Sequence, residues 1–253
     1  MKQMLRSVAI GLVLTLCAGH AVAAEIKVLT VGGLRTALTP MGEDYMKASG
    51  HTVTYTFSNP ANLDQALMQG SYDAIVVATS SVDELDKAGR LQPGSRARVG
   101  RGGIGVVVRE GAPKPDLSTP DAFKRVVQSA RNVVHGDPTT LNGSGVIAFA
   151  ILADAGLLDA VKAKGMKANL VMARELIAKG DYEIGLMNLS EAAGPGVVVA
   201  GPVPAPLQKY TLYDVAVFSD AAAKDAAADY LRYIASPAAR GRWTGALLEQ
   251  TAN

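Results

Sequence analysis

The sequence predicts a two-lobed α/β protein, each lobe a mainly parallel sheet flanked by helices, with two crossings between the lobes. Three observations predict it. Short β-branched or apolar runs alternate with stretches of helical periodicity from residue 25 onward, the signature of a parallel sheet covered on both faces. The alternation occurs in two sets, and one strand-like run, 103–109 (GIGVVVR), leads out of the first set while another, 212–218 (LYDVAVF), leads back. About 230 residues beyond the N-terminal leader suffice for two lobes of ordinary domain size.

The elements follow in order. Residues 25–31 (EIKVLTV) are a β-branched run ending at Gly32 and Gly33, after which Leu34, Leu38, Met41 and Tyr45 recur at helical spacing. Residues 51–57 alternate as a strand, 63–68 suit a helix, 74–78 (AIVVA) form a buried strand and 82–88 a further helix. A basic connector, 90–101, reaches the outgoing strand 103–109, which the proline-rich GAPKPD at 111–116 closes. The second set reads as helix 121–129, strand 132–135, a long apolar helix 146–158, helix 172–178 and strand 183–187. Residues 197–206 are apolar and punctuated by proline; after the return strand 212–218 come an alanine-rich helix, 221–235, and a last helix, 238–248. The expected division is 24–105 plus 214–253 in one lobe and 106–213 in the other.

The first residues read as a secretory leader. Lys2 and Arg6 give a positive start, residues 8–18 are almost unbrokenly apolar, and Ala21, Val22 and Ala23 supply a small-x-small cleavage pattern. The apolar run is too short to span a bilayer, for which about 20 residues are needed. The expectation is a signal peptide, 1–23, cleaved near Ala23, and a periplasmic mature chain that does not insert into the membrane. The single cysteine, Cys17, falls within the leader behind Leu16 rather than behind a small residue, so lipid anchoring is not expected. Cleavage leaves no thiol for disulfides, thiolate metal sites or cysteine catalysis.

Of 25 basic residues two lie in the leader, against 23 acidic residues in all, so the remaining chain carries a formal charge near zero. A balanced chain that is 49% hydrophobic is not composed like a nucleic-acid binder or a polybasic membrane binder. Enzyme signatures are thin. Beyond the leader the only histidines are His51 and His135, with no H-E-x-x-H, P-loop or G-x-S-x-G pattern. Neither a metal nor a cofactor is expected, and binding rather than catalysis is the reading.

Ligands of open α/β sheets lie beyond the carboxyl ends of the strands, so the loops there hold the candidates. Gly32, Gly33 and Leu34 open a helix and would let bare amides face an anion, with Arg35 one step further; a tight turn that needs glycine for backbone shape is the alternative. Ser58, Asn59 and Asn62 surround Pro60, and helix capping accounts for at least one of them without a ligand. Thr79 and Ser80 follow the AIVVA run as hydroxyl donors or caps. Thr139, Thr140, Asn142, Gly143, Ser144 and Gly145 open the apolar helix of the second set and form the best anion-binding feature; an ordinary glycine-rich loop is the alternative. Arg101 belongs to a cluster with Arg96 and Arg98 that either reaches the cleft or is a solvated face. Asp137 is expected to brace its own loop.

Several segments together resemble the type II periplasmic binding proteins of ABC transporters, in particular the molybdate-binding-like group. They are VLTVGGLRTAL at 28–38, VGRGGIGVVVREGAPKPDLSTPDAFKR at 99–125, GDPTTLNGSG at 136–145, EIGLMNLSEA at 183–192 and VAGPVPAPLQKYTLYDVAV at 199–217. The resemblance covers residues 25–253 and implies a hinged receptor that closes on a small anion, a molybdate-like oxyanion or a compact carboxylate, and delivers it as a monomer to a permease. Matched position by position, it implies ligand contacts at Gly33, at Ser58 and Asn59, at Asn142 to Gly145, and at Met187 or Asn188. A periplasmic enzyme on the same scaffold, with a nucleophile and base converging in the cleft, and a sensory subunit for a membrane receptor are the rival readings.

Overall fold

A computed structural model describes residues 23–139 and 143–250. Residues 1–22 of the expected leader, Thr140 and Asn142 therefore lie outside the described residues. No helix among those described is long and apolar enough to cross a membrane.

The chain begins with β1 (Glu25–Val31), a short 3-10 turn at Gly32–Leu34, α1 (Arg35–Ser49), β2 (Thr52–Ser58), α2 (Leu63–Gln69), β3 (Ala74–Ala78) and α3 (Thr79–Lys87). β1 pairs in parallel with β2 on one side and β3 on the other. All five residues of β3 are buried, as an interior strand covered on both faces requires. α1 presents Ala37, Leu38, Met41 and Tyr45 to the sheet and ends at Gly50, whose φ of 74° is the left-handed closure that glycine adopts without strain. α3 starts three residues earlier than the apolar pattern indicated, because the polar run Thr79, Ser80 and Ser81 forms its first turn instead of a loop before it.

β4 (Ala97–Arg109) is the long strand on which the architecture turns. The basic connector expected as far as Arg101 is strand from Ala97. Residues 97–103 pair with β9 (Tyr210–Val217), and 104–109 pair with β7 (Ile184–Asn188) and β8 (Val197–Pro202). Where the partner changes, the side chain of Gln208 takes over: Ile104 donates its N–H to Oε1 at 3.0 Å, and Nε2 donates to the Ile104 carbonyl at 2.8 Å. Both polar groups of the exchanging backbone are thereby satisfied.

After β4 come α4 (Pro120–Ser129), β5 (Val133–His135), α5 (Ser144–Asp154), α6 (Leu158–Lys164), β6 (Gly165–Lys167) and α7 (Leu170–Lys179). The helix expected over 146–158 ends at Asp154, since Gly156, at φ 70°, turns the chain before α6. β7 leads into a one-turn helix, α8 (Leu189–Ala192), and the chain closes with β8, β9, α9 (Lys224–Ala235) and α10 (Arg240–Gly245).

Among the described residues the strands run β2-β1-β3-β9-β4-β7-β5-β6, with β8 alongside β4. The expected parallel order holds for β1 with β2 and β3, and for β5 with β6 and β7. β4 and β9 depart from it and pair antiparallel throughout; β4 crosses between the halves, whereas β9, expected as the second crossing, pairs only within the first, and the chain returns in the segment before it. The buried side chains separate accordingly. One core gathers Ile26, Leu38, Ile75, Val99, Tyr230 and Trp243. Another packs Val106 and Val108 with Phe123 and Ile151, while Val107 faces the opposite side of that sheet with Val134 and Ile177. The alternation of 106, 107 and 108 is the period of two that a strand covered on both faces imposes. The result is a two-lobed α/β fold with its two halves joined through β4.

Candidate functional site

The carboxyl ends of the parallel strands converge on one cavity of about 870 Å³. From the first core come the turn after β1 (Gly32, Gly33), the end of β2 (Ser58, Asn59) and Ser81 of α3. From the second come Gly136 and Asp137 after β5, Ser144 and Gly145 of α5, and Lys167 at the end of β6. Asn188 and Glu191 at the end of β7, and Tyr213 from β9, complete the polar wall. Leu63, Val171 and Met172 supply apolar surface.

Of the sequence candidates, the structure brings Gly32, Gly33, Ser58, Asn59, Gly143, Ser144, Gly145 and Asn188 to this cavity. Neither Gly32 nor Gly33 has positive φ. Glycine is therefore not required there for left-handed backbone; what its absent side chain leaves is space. A Cβ at position 33 would stand 3.3 Å from the carboxyl carbon of Glu191, and one at position 32 would stand 3.5 Å from its Oε1. Gly145 has a different reason. A Cβ there would fall 2.4 Å from the Asp137 carbonyl, so glycine lets the start of α5 press onto the loop after β5. Neither the turn at Gly32 nor α5 carries a side-chain cap hydrogen bond at its N-terminus, and the first amides of a helix have no partner within it.

Other candidates lie elsewhere. Leu34 is buried in the first core. The Arg35 guanidinium stacks 3.8 Å over the Phe57 ring, and Asn62 ends the turn that Asn59 caps by accepting from the Ala61 amide at 3.0 Å. Thr79 and Ser80 border a smaller cavity of about 310 Å³ beside Gly143 and Val146. Because the helix starts at Thr79, Ser81 is the hydroxyl residue that reaches the main cavity. Thr79 donates its hydroxyl to Asp214 at 3.0 Å. Arg101 pairs with Glu249 at 2.5 Å and lies 4.0 Å over the Tyr210 ring, and Met187 packs in the core of the second half. Thr139 turns its amide and hydroxyl to Asp137, at 2.9 and 2.7 Å. Arg96 and Arg98 both hold the buried carboxylate of Asp214.

The sequence reading missed Lys167, Asn169, Glu191 and Tyr213. Lys167 contacts Asp137 at 2.9 Å, and this bond, with those from Thr139, holds the Asp137 carboxyl well below the usual carboxylate range. Glu191 is the opposite case. Burial pushes its carboxyl up, and the amide of Asn188, donating to Oε2 at 3.1 Å, and the charge of Arg174 only partly offset this. The Tyr213 phenol is raised by burial and further by facing Glu191, so it remains an O–H group. The i, i+3 spacing of Asn188 and Glu191 at the end of an apolar strand was the available sequence signal.

The two-lobed fold and the cavity between its halves are those of a solute-binding protein. The chain belongs to the family of bacterial extracellular solute-binding proteins, whose family model matches residues 26–246. It is 32% identical over 221 residues to an aconitate isomerase of Pseudomonas sp., covering 83% of this chain and 82% of that one. It is 26% identical over 234 residues to the molybdate-binding protein ModA of Azotobacter vinelandii, covering 89% and 90%. The solved structure of the Azotobacter vinelandii periplasmic molybdate-binding protein superposes with a TM-score of 0.71 at 22% identity, over 88% of this chain and 98% of that one.

Proposed function

We propose that this protein is the periplasmic receptor of an ABC transporter, released by cleavage near Ala23, that holds a compact carboxylate anion in the cavity and presents it to a permease as a closed monomer. One observation carries the reading: a single cavity is walled by the strand-end turns of both halves, with glycine-bearing helix openings at Gly32, Gly33 and at Ser144, Gly145. Amides and hydroxyls from two bodies on one anion couple binding to closure. A cleft of about 870 Å³ has room for an organic acid as well as an oxyanion, and the relative of Pseudomonas sp. named for aconitate favours the acid. The change of partner at Gly103 and Ile104 of β4, and the segment between β8 and β9, supply the hinge. The test is a thermal-shift screen of the leaderless protein against cis-aconitate, citrate, malate, sulfate and molybdate. A ligand at 100 times its Kd adds about 2.7 kcal/mol of stability. Stabilisation by carboxylates supports the reading; none by any solute overturns it.

Glu191 favours a second reading, in which the cavity isomerises the acid that it binds. A carboxyl raised by burial at the cavity wall is an acid–base group that the sequence did not reveal, and the relative of Pseudomonas sp. is named for an isomerisation. Incubating the protein with cis-aconitate in D2O and following the vinyl and methylene protons by NMR decides it. Formation of the trans isomer with deuterium at carbon supports catalysis, and an unchanged spectrum leaves the receptor alone.

A further inference from the structure

We propose that Glu191 meets the ligand as a neutral carboxylic acid, so that the cleft takes up its anion together with one proton. This rests on the cavity being an anion receptor and names what that receptor selects.

The geometry carries it. The Glu191 carboxyl lies against Gly32 and Gly33, the turn whose amides are the first half's contribution to the site, with nothing larger than a hydrogen atom on those residues between them. Among the described residues it has no cation within ion-pair distance. Arg174 of α7, the nearest basic influence, donates to the Ala193 carbonyl at 3.0 Å. Asn188 gives it one amide bond, and Tyr213 of β9 presents a phenol that stays protonated. Across the cavity Lys167 is committed to Asp137, and Glu175 of α7 adds another carboxyl. The wall therefore holds one lysine against Asp137, Glu175 and Glu191. An anion placed at the Gly33 turn would face an ionised Glu191 as a like charge in a partly dry site, and two such groups do not both stay ionised. Protonated, the same side chain becomes a hydrogen-bond donor to the anion. Burial already moves Glu191 in that direction before any ligand arrives. Asn188 extends the same local chemistry, because its Oδ1 is buried without a hydrogen-bond partner beside the acid.

The experiment is calorimetric titration of the leaderless protein with cis-aconitate in buffer pairs free of small oxyanions and carboxylates, MES and bis-Tris at the acid end and HEPES and Tris at the alkaline end, whose different ionisation heats report protons taken up. It is run from about pH 5 to about pH 8 on wild type and Glu191→Gln, whose amide reproduces the donor. The difference between the two proteins removes the ligand's own titration. Expected is an uptake that rises toward one proton per ligand in wild type relative to the variant, with wild-type affinity falling up to tenfold per pH unit above the Glu191 pKa and the variant lacking that component. Equal uptake and equal pH dependence in both overturn the proposal. If cis-aconitate gives no heat, the carboxylate-receptor reading fails for it, and carboxyl-carbon NMR of the unliganded protein decides the proposal separately. A resonance absent from Glu191→Gln that titrates above ordinary glutamates supports it, and one that titrates with them overturns it.

Discussion

The carboxyl of Glu191, on a one-turn helix of the second half, lies over Gly33 of the first, so close that a Cβ at position 33 would stand 3.3 Å from its carboxyl carbon. This contact spans the cavity wall that the two halves share. Because Gly33 has no positive φ, a larger residue there is tolerated by the backbone and opposed only by the space. Gly33→Val is expected to abolish measurable carboxylate binding while keeping a cooperative melt. Titration calorimetry beside calorimetric unfolding checks it; wild-type affinity in this variant places the anion away from the turn.

Ser144 opens α5 at the cavity and has no capping duty, since the N-cap position is Gly143. Ser144→Ala is expected to weaken binding by about 1 to 2 kcal/mol, roughly 5- to 30-fold, the loss of one hydrogen bond to a charged group. Unchanged affinity by titration would remove the hydroxyl from the site.

The strands of the first half and the helix after Gly33 were legible, because apolar runs and helical spacing are local signals. β6 and α8 were not, since three and four residues carry no periodicity. The start of α3 was hidden because Thr79 and Ser80 read as caps, whereas Ala78 holds the cap position and the hydroxyls fall inside the first turn. Arg101 read as either a cleft cation or part of a solvated face, because the partner that decides it, Glu249, lies at the far end of the chain. Glu191 illustrates the same limit: its raised carboxyl depends on burial against Gly33 and Tyr213, contacts made across the fold.

Asp214 ties β9 to Arg96 and Arg98 and is only 2% exposed. Burial alone would raise its carboxyl, and the bonds from Arg98, Arg96 and Thr79 outweigh that and lower it. Asp214→Ala is expected to cost about 2 to 4 kcal/mol, below the full range for a buried pair because both arginines are about a third exposed. The folded pKa lies below the unfolded value, so the stability contributed by Asp214 is present above about pH 4 and is lost as pH falls through the folded pKa. Urea unfolding of wild type and variant from neutral pH to about pH 3 checks both; the gap between the two curves should narrow toward the acid end.

Glu191 has the opposite sign. Its folded pKa is raised, so it favours the folded state below the unfolded value of about pH 4.3 and that advantage is lost as pH rises through the folded pKa. Glu191→Gln is therefore expected to melt above wild type at about pH 8 and to lose that margin at about pH 4. A variant that melts below wild type at every pH would show that the carboxylate is stabilised by its surroundings.

The central claim is that one small carboxylate lies between the Gly33 turn and the start of α5, and a crystal structure grown with the most stabilising acid of the solute screen tests it most directly. The account predicts electron density for that acid in contact with backbone amides at Gly32 and Gly33, with Ser144 and with Glu191. Density in the smaller cavity beside Thr79 and Val146, or on the outer surface with the main cavity holding water alone, would contradict it.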